Sequence, residues 1–80
     1  MQVPLIKQLA EKYSIAQLEE SEAALLEERK PPITDAGDDE GDQLTNILAA
    51  IWIKREMEEK NVDVRTALRA YSQMVRNSIS

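Results

Sequence analysis

Apolar side chains recur three and four residues apart along most of this chain, which is the spacing that places them on one face of an α-helix. Proline, glycine or capping residues interrupt the pattern at three places. The pattern therefore predicts helices near residues 4–13, 15–29, 42–60 and 64–78. We expect an all-α fold, a compact bundle of four helices with a long acidic loop between helices two and three, in a single domain over residues 1–80.

Local signals set the boundaries of these predicted helices. Ser14 and Gln17 have the spacing of a capping box at the start of the second helix. Pro31 disfavours helical geometry in the residue before it, so the second helix should stop there. Asn61 can adopt the left-handed conformation that ends the third helix, and Asp63 can cap the fourth.

The third and fourth predicted helices differ in how their apolar residues are distributed. The first half of the third helix is apolar on nearly every side, and such a helix is normally buried on most sides. We therefore place it at the centre of the fold or of a subunit interface. The fourth helix carries its apolar residues in one stripe. The stripe contains Val64, Ala67, Leu68, Tyr71, Met74, Val75 and Ile79.

The stretch 31–42 contains two prolines, two glycines and five carboxylates, with Ile33 as its only large apolar residue. Such a segment cannot bury enough surface to order itself independently, so we predict a flexible acidic loop. A calcium-binding loop is the alternative interpretation. Counted from Asp38, however, the sixth position is Gln43 instead of glycine and the twelfth is Ala49 instead of glutamate. A solvated loop that caps the next helix is the preferred interpretation.

The chain contains no cysteine and no histidine. Thiol chemistry, Cys/His zinc sites and the commonest acid/base catalyst are therefore excluded. The glutamates of the second helix lack the Glu-x-x-His motif that completes a di-metal site in a helical bundle. No serine has an activating base in view, and no glycine-rich phosphate loop is present. We expect no enzymatic activity, no cofactor and no metal.

The length of 80 residues allows only a thin core. Small domains often add disulfides, a structural metal or oligomerisation, and the composition leaves oligomerisation, so we expect a homodimer. The longest apolar run, 47–53, is too short to span a bilayer, and the amino terminus has no signal-type pattern. A net charge of −5 opposes adhesion to membranes and nucleic acid. We expect a cytoplasmic protein.

The excess of apolar surface on the third helix suggests a surface that binds a partner. Trp52 is the largest apolar side chain in a chain that has no phenylalanine. The candidate contact residues are Trp52, Ile53, Met57 and Tyr71. The simpler interpretation of Trp52 is core packing, and a core shared between two subunits would combine both roles. The leading function is a protein–protein interaction or small regulatory or adaptor module, acting with a second copy or another protein.

Arg65, Arg69 and Arg76 lie off the apolar stripe of the fourth helix, at steps of four and seven residues. They suggest an alternative function, the binding of an anion or a nucleic acid. Three charges are few for that purpose in a chain of net negative charge. Pairing with the chain's own glutamates or with the acidic surface of a partner is the preferred interpretation of these arginines.

Several stretches resemble a known family. They are Pro-Leu-Ile-Lys at 4–7, the apolar helix at 44–57, Ala-Leu-Arg-Ala-Tyr at 67–71 and Val-Arg-Asn-Ser-Ile at 75–79. The chain is similar in these stretches to small uncharacterised bacterial proteins of the Bacteroidetes type, which form a domain of unknown function. The resemblance implies a shared fold and lineage and carries over no catalytic residue.

Overall fold

The computed structural model describes residues 2–78, and within them the chain forms helices and no β-strand. The helices are α1 (Val3–Lys12), α2 (Ile15–Leu26), α3 (Glu40–Lys60) and α4 (Val64–Ser78). The predicted all-helical class is confirmed, and so is the number of helices within this range. Ile79, which the sequence places on the apolar stripe of the last helix, lies outside the described residues.

α3 lies at the centre of the fold. It packs against α1, α2 and α4, and α1 also touches α4. Within residues 2–78, α2 and α4 do not contact each other. This arrangement explains why α3 is apolar on nearly every side, since each side meets a different neighbour. Every helix contributes fully buried apolar residues, among them Ile47, Ala50 and Ile53 of α3, Ile6 of α1, Leu18 of α2 and Ala67 of α4.

The capping predictions are confirmed. The backbone N–H of Gln17 donates to the Ser14 hydroxyl at 3.1 Å, and the Ser14 N–H donates to the Gln17 side chain at 2.9 Å. Asn61 adopts the left-handed conformation, with φ of 53° and ψ of 50°. The Asp63 carboxylate accepts from the Thr66 N–H at 2.9 Å. These hydrogen bonds satisfy amide groups that a helix end would otherwise leave without a partner.

The end of α2 differs from the prediction, which continued the helix to Arg29. The helix ends at Leu26 because Glu28 takes a left-handed conformation with φ of 58°. The Arg29 N–H then donates to the Ala24 carbonyl at 2.7 Å, and the Glu28 N–H donates to the Leu25 carbonyl at 3.2 Å. This is a Schellman motif. Glycine usually occupies its left-handed position, so a glutamate there gives no signal in the sequence.

The start of α3 also differs from the prediction. The helix begins at Glu40 instead of residue 42, because the Asp39 side chain caps it by accepting from the Asp42 N–H at 2.8 Å. Glu40 and Asp42 therefore lie in the first helical turn, where negative charge interacts favourably with the helix dipole. Residues 40–42, predicted as the end of the acidic loop, belong to the helix.

The segment between α2 and α3, residues 27–39, packs against the core. Ile33 and Ala36 are buried at 3% and 0% exposure. The Ile33 N–H donates to the buried Ser21 hydroxyl at 3.1 Å. The Asn46 side-chain amide donates to the Ala36 carbonyl at 2.8 Å. Ile33 was the expected apolar residue of this segment, and Ala36 is a second that the sequence did not single out.

Replacing Glu28 by glycine should stabilise the fold. The left-handed conformation costs a non-glycine residue about 1–2 kcal/mol of steric strain, which glycine avoids. Glycine also has more conformational entropy in the unfolded chain, and this offsets part of the stabilisation. We expect the free energy of unfolding to rise by about 0.5–1 kcal/mol in a urea titration. Glu27→Gly is the control, since Glu27 has an ordinary φ of −93° and should gain nothing. A loss of stability in Glu28→Gly would contradict the left-handed assignment.

Replacing Asn46 by alanine should destabilise the fold. The substitution leaves the buried Ala36 carbonyl without its donor. An unsatisfied buried group of this kind lowers the free energy of unfolding by about 1–3 kcal/mol. Urea denaturation followed by circular dichroism measures the change. Thr45→Ala is the matched control on the exposed side of the same helix, and it should change stability by less than about 0.5 kcal/mol. Equal effects of the two substitutions would refute the role assigned to Asn46.

Candidate functional site

α4 is the helix that its neighbours cover least. Among its described residues only Ala67 is fully buried. Val64, Leu68 and Tyr71 are partly buried against the core, and Met74 is 38% exposed. Among the described helices α4 touches α3 and α1 alone, so part of its apolar face is not covered by them. An incompletely covered apolar face makes this edge of the fold the candidate functional surface.

Trp52 of α3 and Tyr71 of α4 meet at this edge. Their ring centroids are 5.4 Å apart, and the ring planes are tilted by 56°. Aromatic pairs favour such offset or tilted arrangements over stacking face to face. Both side chains are partly buried and pack against the core cluster. The pair therefore joins α3 to α4 while part of each ring remains accessible.

A groove of about 530 Å³ lies between α3 and the second half of α4, and we call it the α3–α4 groove. Apolar and polar side chains line it together. An ion pair between Lys60 Nζ and Glu56 Oε2, at 3.5 Å, crosses one turn of α3 within the lining. The principal lining residues are Trp52, Glu56, Lys60, Ala70, Gln73 and Met74. The groove thus presents apolar side chains together with charged and amide groups.

The structure separates the four predicted contact residues. Trp52 lines the α3–α4 groove, and the Tyr71 ring packs against the Trp52 ring. Met57 is partly buried against the core. Ile53 has no exposed surface, so it belongs to the core and cannot lie on a contact surface. Met74, which was not among the predicted contact residues, lines the groove. Its position on the apolar stripe of the fourth helix was the signal in the sequence that could have identified it.

The predicted arginines lie on another side of α4. Arg69 and Arg76 line a shallow crease of about 110 Å³ together with Ser72 and Gln73. Arg65 is exposed one turn earlier and does not line this crease. Within residues 2–78 neither Arg69 nor Arg76 forms an ion pair. The crease therefore presents two unneutralised guanidinium groups to solvent, and it shares Gln73 with the α3–α4 groove.

Asp63 holds the amino-terminal end of α4. The hydrogen bond from the Thr66 N–H lowers the pKa of the Asp63 carboxyl, and the positive charge of Arg65 lowers it further. A carboxylate at this position also interacts favourably with the amino-terminal end of the helix dipole. The ionised form of Asp63 is therefore the one that stabilises the helix carrying the crease and one wall of the groove.

The remaining carboxylates do not gather into a metal site. Asp35 accepts hydrogen bonds from the Lys12 ammonium and the Tyr13 hydroxyl, both at 2.9 Å, and the Lys12 bond lowers the pKa of Asp35. No group of three or more acidic side chains in the described part of the chain could hold a metal ion. Likewise, no helix within that part is long and apolar enough to cross a membrane.

Comparison with known proteins gives a family. A family model described as "Family of unknown function (DUF6952)" matches residues 1–80. The chain belongs to this family. The membership agrees with the resemblance to an uncharacterised domain, whereas the bacterial lineage stays a prediction. No curated protein and no solved structure matches the chain. The assignment of functional residues therefore rests on the geometry of the α3–α4 groove and the arginine crease.

The cap at Asp63 should make stability depend on pH. The pKa of Asp63 is lowered in the folded chain, so its contribution is present above the usual aspartate pKa and is lost as pH falls through the lowered value. Asp63→Asn keeps an acceptor and removes the charge. The difference in thermal midpoint between wild type and Asp63→Asn should therefore shrink in acid. Asp63→Ala, the comparison without an acceptor, should be the less stable variant at every pH. A constant difference between wild type and Asp63→Asn across the titration would contradict this role.

Proposed function

We propose that this chain is a non-catalytic protein-interaction module of the small regulatory or adaptor type, and that it forms a homodimer through the α3–α4 groove. The observation that supports the proposal is the incomplete cover of α4. Its apolar face borders a groove in which Trp52 and Met74 remain accessible. A second protein surface would remove these side chains from water.

The make-up of the groove suits a protein contact. Apolar burial is worth about 25 cal/mol per Å², and large aromatic side chains in a central position contribute most to known interfaces. Trp52 supplies such a side chain, and Met74 lies near it as an adaptable apolar neighbour. Glu56, Lys60 and Gln73 line the same groove. Protein–protein interfaces usually combine apolar and aromatic side chains with polar groups.

The non-catalytic part of the proposal rests on composition and on the roles of the carboxylates. The chain has neither histidine nor cysteine. Asp39 and Asp63 cap helices, and Asp35 is bound by Lys12. These acidic groups therefore have structural partners instead of facing a common site. A bacterial, cytoplasmic setting remains a prediction from the sequence.

The arginine crease supports a second candidate function, the binding of an anion such as a nucleic-acid phosphate. Arg69 and Arg76 are exposed and unpaired within the described chain. The net charge of −5 opposes this function. A fluorescently labelled DNA duplex titrated at several salt concentrations separates the candidates. Phosphate binding predicts a salt-dependent affinity that Arg69→Ala/Arg76→Ala abolishes, whereas the interaction module predicts no binding.

Self-association should depend on Met74. We expect wild type to reach a mass of twice 9.1 kDa as its concentration rises in size-exclusion chromatography with light scattering. Met74→Glu places a charge in the groove, and burying an uncompensated charge at an interface weakens binding strongly. We expect the variant to stay at 9.1 kDa at concentrations that make wild type dimeric.

Val3→Glu is the matched control, because Val3 is 41% exposed but lies on α1, away from the groove. It should dimerise like wild type. Ile53→Asn should instead lose helix content, since Ile53 lies wholly inside the core. A wild type that stays at 9.1 kDa at all concentrations would overturn the homodimer. Equal loss of association in Val3→Glu and Met74→Glu would remove the groove from the proposal.

A further inference from the structure

Two stripes of opposite charge on the outside of the fold have the same spacing. Each consists of two charged residues seven positions apart with a small residue between them, at steps of three and four. Seven residues of α-helix span about 10 Å, so the charges of the two stripes are equally far apart along their helices. The basic stripe on α4 is Arg69, Ser72 and Arg76. The acidic stripe is Glu20 and Ala23 of α2 with Glu27, the residue at the carboxyl-terminal cap of that helix.

The two stripes do not meet within one chain. α2 and α4 make no contact with each other in residues 2–78. In the same range Arg69, Arg76 and Glu20 form no ion pair. Glu27 pairs with Arg29 at 3.1 Å, but both side chains are more than half exposed, and such a pair is weak enough to exchange partners. The expected pairing of the arginines with the chain's own glutamates is therefore not formed within residues 2–78, and the basic stripe is available to carboxylates from outside the chain.

We propose that α2 of a second copy lies parallel along α4, with the partner's Glu20 at Arg69 and the partner's Glu27 at Arg76. The inference rests on the proposed function and names the surface that the second copy brings to α4. The parallel direction aligns the three-then-four spacing of both stripes in register. A guanidinium can hold each carboxylate by two hydrogen bonds, which fixes geometry as well as charge.

The small residues at the centres of the stripes let the helices approach closely. In this register Ser72 faces the partner's Ala23, and helices with small contact residues can pack near the lower end of the usual 8–10 Å range. Ala23 and Ser72 are each partly exposed, so both are accessible to such a contact. Larger side chains at these two positions would hold the charged groups apart.

The most exposed large apolar side chain within residues 2–78 also fits this arrangement. Leu26 is 64% exposed and lies roughly a quarter turn from the centre of the acidic stripe on α2. Gln73, which the crease and the α3–α4 groove share, lies roughly a quarter turn from the basic stripe in the opposite rotational sense. Parallel helices that face each other bring opposite senses to the same side. The partner's Leu26 therefore lies on the same side of the contact as Gln73, at the edge of the groove.

The contact can be reciprocal. Each copy carries both stripes, so two copies related by a two-fold axis can exchange α2 against α4 twice and form a closed dimer. The net charge of −5 on each copy opposes association at long range. At physiological salt the screening length is about 8 Å, so ion pairs in direct contact outweigh the repulsion between distant charges.

Exchange of the charges tests the contact. Arg69→Glu/Arg76→Glu makes both stripes acidic, and Glu20→Lys/Glu27→Lys makes both basic. Each variant alone should self-associate at least about tenfold more weakly than wild type in sedimentation equilibrium. An equimolar mixture contains complementary stripes at both contacts and should regain a mass of twice 9.1 kDa. Lys7→Glu/Lys30→Glu is the control, because it changes net charge as the first variant does, at exposed lysines outside both stripes, and should dimerise like wild type.

Circular dichroism checks that every variant is folded. A charge-reversal variant that does not fold is replaced by its neutral counterpart, Arg69→Gln/Arg76→Gln or Glu20→Gln/Glu27→Gln. Each neutral variant should associate more weakly than wild type. If wild type and all charge variants dimerise equally while Met74→Glu does not, the stripe contact is overturned and the groove dimer stands. A wild type that remains at 9.1 kDa overturns the second copy as the occupant and the homodimer with it. A mixture that stays monomeric, or masses that grow beyond two chains, overturns the reciprocal pairing.

Discussion

α3 requires apolar cover on every side, and the other elements are arranged around that requirement. Ile47 and Ile53 point to different sides of the helix, yet neither has exposed surface. A chain of 80 residues has little material with which to surround such a helix. α1, α2 and α4 each cover one side, and the segment 27–39 adds Ile33 and Ala36. Nothing in the described chain packs on the outer side of α4, which is why α4 stays partly open.

Polar side chains fix the positions of the elements that complete this cover. The Lys54 ammonium donates to the Ala10 carbonyl at 2.9 Å and so joins the end of α1 to α3. Ser21 of α2 and Asn46 of α3, both buried, form hydrogen bonds with the backbone of the segment 27–39. Each bond joins positions at least ten residues apart in the sequence. These hydrogen bonds satisfy polar groups that burial would otherwise leave without partners, and they also join separate elements. They therefore supplement the thin apolar core in holding the fold together.

The same architecture separates the charges of the molecule. The charged residues of α2 are all acidic, Glu19, Glu20 and Glu22, whereas the charged residues of α4 are arginines alone. α2 and α4 both pack on α3 and do not touch, so these charges cannot neutralise one another within the chain. The α3–α4 groove at the open apolar edge of α4 and the arginine crease share Gln73. Apolar and charged features that could direct binding thus occur on one helix.

The sequence by itself determined the helices, most of their caps and the absence of thiol and imidazole chemistry. Capping hydrogen bonds such as Ser14–Gln17 and Asp63–Thr66 join residues three apart, so local order is enough to predict them. Only the tertiary structure decided that Ile53 is core while its neighbour Trp52 lines a groove, and that Met74 is accessible. A helix that is apolar all round gives no local indication of which side its neighbours leave open. Which side stays open depends on packing between elements that are distant in the chain. The same packing decides which surfaces of α2 and α4 remain available to a partner.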